Sequence, residues 1–457
     1  MTFEEKSGQY SLFECIKLTE EKYQLARPQF VIAENAAFAA LLAQVKAGWT
    51  AKQRGRIVMD VTFPMRGAAV TGVERVALEL ARAFLALADK SELALVFTAL
   101  KGDVFELVEL DAAQAAGQTL HFRSCGKPLA FEIGDQLFIV EIQMERLDGY
   151  FNAISKARRA GAVANLMIHD LIWIVNTAWV DQQAAVQFLV KWTQVLRFAD
   201  RVIAVSRKVA RDIACYTAET SMLGLTPTRK LPVAWCSLGC DPFPAEAGQA
   251  PPLNFPVDRN TLIAVGTFTT RKGLMQLLKA MQNLWAEGSD AKLVFIGKDL
   301  GAGNTRKFLA SQPEFNQKLF LPGYVSDASL NHALQQCGAL VCPSLEEGFG
   351  LPLVEAAARG CPVIARDIEI FRETSGGTAF FFENGEADKI ADGLRKWFTL
   401  TRKQQMNYVP GESLVTWRQS AEMLKAVMFQ GAASFSLDVG IKATVNLAVP
   451  DSGRGIA

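Results

Sequence analysis

The chain has 457 residues, of which 50% are hydrophobic and 21% charged, a balance that fits folded globular domains and excludes a disordered or collagen-like chain. That length exceeds one ordinary core, so two domains of about 200 residues each are expected. Lys and Arg total 48 against 47 Asp and Glu, which leaves no basic field for nucleic acid.

No apolar run reaches the roughly 18 to 20 residues that span a bilayer. The start Met1-Thr2-Phe3-Glu4-Glu5-Lys6 lacks the basic opening and apolar centre of a signal peptide, so a cytoplasmic protein is the expectation. The eight cysteines, at 15, 125, 215, 236, 240, 337, 342 and 361, sit in scattered apolar contexts. Cys236 and Cys240 have no second Cys or His pair to complete a zinc site, and reduced, buried thiols are the expected state.

In chain order, residues 1–55 read as an N-terminal extension, with an alanine-rich helical stretch at 36–45 and no evident chemistry. Residues 56–62 read as a buried parallel strand. Gly72 then precedes an amphipathic helix with Val73, Val76, Ala77, Leu80, Phe84 and Leu87 on one stripe. Strand candidates at 93–98, 136–140, 164–169 and 201–205 alternate with helical stretches, the pattern of a doubly wound parallel sheet. Residues 241–258 carry Pro242, Pro244, Pro251, Pro252 and Pro256, a linker composition. The rhythm then restarts, with strands at 262–265, 292–296, 318–321, 339–342 and 362–365 and helices at 274–285, 330–337 and 352–359.

The expected fold is therefore α/β: two Rossmann-like doubly wound domains, 56–242 and 260–429, joined by a linker at 243–259 and followed by a tail at 430–457. A ligand should bind at the carboxyl ends of the strands facing the cleft.

Several stretches carry chemistry. His169-Asp170 ends a strand, where a histidine with a near-neutral pKa suits a hydroxyl contact, proton transfer or a structural hydrogen bond. Ser206 fits a helix N-cap, with Val209 at the third helical position. Arg271 and Lys272 lie in a strand–loop–helix joint, which suits either a diphosphate or a solvated basic pair. The loop Gly323-Tyr324-Val325-Ser326-Asp327 also reads as a plain Ser-Asp helix entry.

The densest stretch is Pro343-Ser344-Leu345-Glu346-Glu347-Gly348-Phe349-Gly350-Leu351-Pro352-Leu353-Val354-Glu355. It sets the carboxylates of Glu347 and Glu355 on either side of a glycine-rich turn that opens a helix. Pro352 suits the first helical position, and free amides at 350–353 would favour an anion such as phosphate. A phosphate flanked by two hydroxyl-reading carboxylates describes a nucleotide-sugar pocket. The other reading is an ordinary joint with two solvated glutamates, and Glu346 reads as a solvated neighbour. There is no Asp-x-Asp triplet to hold a metal-bound diphosphate, no Walker loop, no Gly-x-Ser-x-Gly elbow and no His-Glu-x-x-His zinc helix.

This stretch, with the other motifs in order over roughly residues 56 to 425, resembles the signature of the family-4 retaining glycosyltransferases of GT-B architecture (glycosyl transferases group 1). The resemblance implies a hexosyltransferase, of mannose or glucose type, that uses a GDP- or UDP-linked sugar without metal or further cofactor. The donor would sit on the second domain, and a polysaccharide or glycoconjugate acceptor on the first.

In that family Glu347 would contact the donor sugar's hydroxyls and Glu355 the ribose. The amides of Gly348, Phe349, Gly350 and Leu351 would hold the distal phosphate. Lys272 and Arg271 would hold the diphosphate, with Arg271 replacing an arginine that many members carry where this chain has Thr267. His169 would contact the donor sugar, Val325 would border the base, and Arg207 would lie near the site. Gly72, with Gly67, would let backbone approach the phosphates or acceptor. His121 and His332 have no assigned role. Lys156, Arg158 and Arg159 fit either peripheral contact with anionic lipid at the inner membrane face or a solvated helix face. The rival readings are a non-catalytic nucleotide-sugar-binding or interaction protein and another GT-B enzyme. The latter would be a sugar-nucleotide epimerase or a phosphorylase, which would need a pyridoxal lysine that has no candidate.

Overall fold

The computed structural model describes residues 55–66, 72–90, 93–110, 120–176, 182–222, 231–241, 252–299, 303–411 and 414–430. The N-terminal extension before residue 55, Gly67, the stretch 242–251 of the proline-rich segment and the tail from 431 lie outside the described residues.

The first sheet starts with β1 (Ile57–Asp60), whose four residues are all buried, as expected of a strand covered on both faces. Helix α1 (Gly72–Asp89) follows, with Val76, Ala77, Leu80, Phe84 and Leu87 buried on the predicted stripe. Next come β2 (Leu95–Lys101), β3 (Val104–Leu110), β4 (Phe122–Pro128) and β5 (Gln136–Ile139). Helix α2 (Leu147–Arg159), β6 (Val163–Ile168), α3 (Gln182–Phe198), β7 (Arg201–Ala204), α4 (Arg207–Met222) and β8 (Val233–Trp235) complete it. The eight strands run β4-β3-β2-β1-β5-β6-β7-β8. From β2 to β8 the neighbours are parallel, but β3 pairs antiparallel with both β2 and β4. The purely parallel sheet expected from the sequence therefore carries an antiparallel edge. Glu106, Glu109, Arg123 and Lys127 interrupt its apolar pattern, a common way to blunt an exposed edge.

The second sheet is built from β9 (Thr261–Val265), α5 (Leu274–Ala286), β10 (Lys292–Ile296), β11 (Leu319–Gly323), α6 (Asp327–Gln336) and β12 (Ala339–Cys342). Helix α7 (Leu351–Ala357), β13 (Val363–Arg366), α8 (Glu369–Thr374), β14 (Phe380–Phe382) and α9 (Ala387–Thr399) follow. Its order is β11-β10-β9-β12-β13-β14, and every neighbouring pair is parallel. The chain reverses direction across the sheet between β9 and β12, so the loops leaving those two strands open a crevice at their carboxyl ends.

Helix α10 (Trp417–Gln430) returns to the first sheet's side of the molecule. The Trp417 amide donates to Asp241 Oδ1 (2.9 Å), Ser420 Oγ donates to the Ser237 carbonyl (2.8 Å), and Arg201 Nη1 donates to the Met428 carbonyl (3.1 Å). A Cβ on Gly239 would stand 2.3 Å from the Trp417 Cα, so only glycine admits this crossing. No helix among the described residues is long and apolar enough to cross a membrane. On α2, Lys156 is bonded to Asp103 (2.6 Å) and Arg158 to Asp200 (2.8 Å), which commits two of the three cations of that basic cluster to partners within the fold.

Candidate functional site

The loop after β9 and the loop after β12 meet in the crevice. The Leu345 amide donates to the Arg271 carbonyl (2.8 Å), and the wholly buried Arg366 braces the second loop by donating to the Pro343 carbonyl (2.9 Å). Gly273 adopts φ 63, and a Cβ there would lie 2.2 Å from the Pro343 carbonyl oxygen, so the turn behind Lys272 needs glycine.

Lys272 Nζ lies 2.5 Å from Glu347 Oε1, and Arg271 Nη1 lies 2.8 Å from Glu347 Oε2 and 2.8 Å from the Glu346 carbonyl. The Glu347 side chain is only 10% exposed. Burial alone would push its carboxyl up, but Lys272 and Arg271, with hydrogen bonds from Lys272 and Ser344, hold it at about 2. A small cavity lined by Val265, Lys272, Cys342, Ser344, Glu347 and Gly350 opens beside this cluster.

The first domain touches the same loop. A Cβ on Gly348 would stand 1.9 Å from the His169 carbonyl oxygen and 3.0 Å from Asp170 Cβ, so the two backbones meet where no other residue fits. Ser206 Oγ donates to the Gly348 carbonyl (2.8 Å) and also accepts from the Val209 amide (3.2 Å), so the N-cap serine ties the domains together. His169 Nε2 is 2.9 Å from the Val140 carbonyl, which sets Nε2 as the protonated nitrogen and leaves Nδ1 as an acceptor. Burial lowers the His169 pKa, against the opposing effects of the Val140 hydrogen bond and Asp170. Its imidazole is therefore neutral at pH 7.

Glu355 is buried in the first turns of α7. Its Oε1 is 3.2 Å from Arg75 Nη1, and the same nitrogen is 3.3 Å from Asp327 Oδ1. Gly350 caps α7 with φ 89, and a Cβ there would meet Phe371 Cε1 at 2.8 Å. Phe349 has its ring in the core, so only its backbone is available to a ligand. Leu351 approaches Gly72, where a Cβ would lie 4.0 Å from Leu351 Cδ1. Val325 is half-buried beyond Gly323, and its neighbour Tyr324 is 59% exposed beneath Lys298 Nζ, 5.0 Å from the ring centroid.

Three details differ from the sequence reading. Helix α7 begins at Leu351, so Pro352 is its second residue, still within the turn whose amides lack helical acceptors. The Leu353 amide, expected to be free, donates to the Gly350 carbonyl (2.9 Å). Glu346 is no solvated bystander: its carboxylate pairs with Lys208 of α4, which also holds Asp212 (2.9 Å).

Sequence reasoning missed Arg75, Lys208, Glu373 and Glu141. The Arg207 and Lys208 amides at the start of α4 donate to the two Glu373 carboxylate oxygens (2.7 and 3.2 Å). Glu141 Oε2 lies 3.9 Å from His169 Nε2, and burial, with Asp170 and Glu145 nearby, pushes the Glu141 carboxyl up to about 8.

Residues 248–409 match the family of glycosyl transferases group 1. Over 305 residues the chain is 31% identical to the serotype-specific mannosyltransferase WbdA of Escherichia coli, a match covering 65% of this chain and 37% of that protein. Over 155 residues it is 30% identical to the phosphatidyl-myo-inositol mannosyltransferase of Mycolicibacterium smegmatis, covering 33% of this chain and 39% of that relative. The matches thus span little more than a third of these relatives' lengths. Among solved structures, the sucrose-phosphate synthase of Thermosynechococcus elongatus aligns with a TM-score of 0.52 at 18% identity, covering 84% of this chain and 97% of that one, a likeness of fold. Residues 248–409 thus carry the likeness to the group 1 glycosyltransferases, and the two Rossmann-like sheets facing a shared crevice give the chain a GT-B architecture.

Proposed function

We propose that the chain transfers a hexose from a nucleoside-diphosphate sugar to a hydroxyl of a glycan or glycoconjugate, with retention of anomeric configuration. The observation that carries this reading is the cluster of Lys272, Arg271 and Glu347 at the second sheet's switch point, pressed through Gly348 against His169. Two cations that share one buried carboxylate are placed to exchange it for a diphosphate, whose charge grows as it leaves. Glu347, ionised throughout, would then accept from the sugar's hydroxyls. His169 Nδ1, neutral and unprotonated, suits acceptance of another.

The acceptor oxygen forms its bond to the anomeric carbon on the face from which the diphosphate departs. A diphosphate oxygen takes the acceptor's proton, so the products are the glycoside and the nucleoside diphosphate. The scheme uses no further cofactor. The mannosyltransferase names of the relatives support mannose as the hexose.

Calorimetry against UDP, GDP, ADP, CMP and their sugar conjugates tests the site without knowledge of the acceptor. One nucleotide should bind well, and Lys272→Ala should weaken it about 10- to 150-fold, the loss of a hydrogen bond to a charged group. If folded wild-type protein binds none of them, or Lys272→Ala binds as tightly, the reading fails.

A further inference from the structure

Arg75 lies in the first turn of α1, on the first domain, yet its charged partners Glu355 and Asp327 both belong to the second-sheet unit. The Glu355 side chain is 10% exposed and that of Arg75 25%, so this contact is shielded from water, whereas Asp327 is 54% exposed. Among the described residues Arg75 is the one cation within ion-pair distance of the Glu355 carboxylate, and it takes Oε1. Oε2 accepts no hydrogen bond among those residues. Burial pushes the Glu355 pKa up, Arg75 and then Arg359 pull it down, and Asp327 and Glu79 push it up again. Arg75 is thus the largest influence favouring the ionised form, which presents two acceptor oxygens and no proton.

We propose that Arg75 is a positioning residue for the donor's ribose: reaching across the cleft, it fixes the Glu355 carboxylate through Oε1 and leaves Oε2 to accept from the ribose hydroxyls. The inference rests on the reading of Glu355 as the ribose contact. Because Arg75 and Glu355 come from opposite domains, ribose is recognised fully only when the domains meet. The first domain thereby contributes to nucleotide selectivity without touching the nucleotide.

The test uses whichever of UDP and GDP binds more tightly, together with its 2′-deoxy and 3′-deoxy analogues, titrated into the full chain by calorimetry. Wild type should bind at least one deoxy analogue about tenfold or more weakly, as for a lost hydrogen bond to a charged group. In Arg75→Ala that ratio should fall to within about twofold of one, and Arg75→Lys, which keeps the charge, should retain most of it. Glu355→Gln should abolish it.

A ratio that survives in Arg75→Ala but disappears in Glu355→Gln overturns the role of Arg75 and leaves the Glu355 reading standing. A ratio near one in wild type overturns both. A purely structural role for Arg75 would weaken ribose and deoxyribose forms alike, leave the ratio unchanged, and so count against the proposal. Circular dichroism of each variant establishes that it is folded.

Discussion

Replacing Glu347 with Gln should cost stability in a pH window that the structure sets. The Glu347 carboxyl lies near 2, against an ordinary 4.5. That difference favours the charged form by about 3 kcal/mol, at roughly 1.4 kcal/mol per pH unit. The folded pKa is depressed, so the stabilisation is fully present above about pH 4.5 and disappears as pH falls towards about 2. The amide of the Glu347→Gln variant cannot ionise and leaves Lys272 and Arg271 facing a neutral group in a site that is mostly closed to water, which adds to the loss. Urea unfolding followed by circular dichroism, at pH 7 and again near pH 3, should show Glu347→Gln less stable by on the order of 3 kcal/mol at pH 7, with the gap narrowing clearly in acid. If the variant matches wild type at pH 7, or the gap is the same at both pH values, the carboxylate is not held by the two cations in the way the geometry requires.

Two other substitutions have outcomes set by the fold. Gly348→Ala would set a Cβ 1.9 Å from the His169 carbonyl oxygen. The domains must then separate by an ångström or more, and kcat/KM for hexose transfer should fall about a hundredfold, as for a misplaced reacting pair; wild-type kcat/KM would show that this contact is not part of the active arrangement. Asp60 is buried, and burial raises its pKa from 3.8 to about 6 despite hydrogen bonds from Thr62 and Tyr150. Its contribution is therefore fully present below about pH 4 and is lost as pH rises through about 6. The stability of Asp60→Asn relative to wild type should shift by about 3 kcal/mol in the variant's favour between pH 4 and pH 7, and a constant difference in urea unfolding would rule this out.

The inner strands of the second sheet were legible because they are buried on both faces. Residues 292–296 and 339–342 read as strands from composition alone and form β10 and β12 at those positions. The first sheet's edge was not legible, because charged residues interrupt β3 and β4 without a period of two and Gly102 and Gly126 lie beside or within them, so they resemble solvated loop. At the site, the sequence supplied Lys272, Arg271, Glu347 and Gly348 but not their contacts, which depend on β9 and β12 being neighbours.

Arg75 was invisible for a different reason. An arginine one turn before Glu79 and two turns before Arg82 looks like part of a solvated helix face, and its partner Asp327 lies 252 positions away. Glu373 and Arg207, separated by 166 positions, are equally beyond pattern reading. Glu141 did carry a signal: it follows the carboxyl end of a parallel strand, the same place as His169, and that position is where ligands of such sheets bind.

Among the described residues, the hydrogen bonds and ion pairs that cross the cleft from α1 and α4 have one polarity, and that bears on how the protein works. The first domain contributes the donors: Arg75, the Ser206 hydroxyl, the Arg207 and Lys208 amides, and the Lys208 and Arg211 side chains. The second contributes the acceptors: Asp327, Glu346, the Gly348 carbonyl, Glu355, Glu369 and Glu373. Attraction of this kind is strong at contact and screened beyond about 10 Å at ordinary salt, so it latches domains that have already met rather than drawing them together from afar. The exposed Arg211–Glu369 pair adds little. The shielded contacts of Lys208 with Glu346 and of the α4 amides with Glu373 carry most of the latch. Glu346 and Gly348 flank Glu347 in sequence, and Glu355 lies on the helix that follows. Closing the cleft therefore sets the very loop proposed to read the donor.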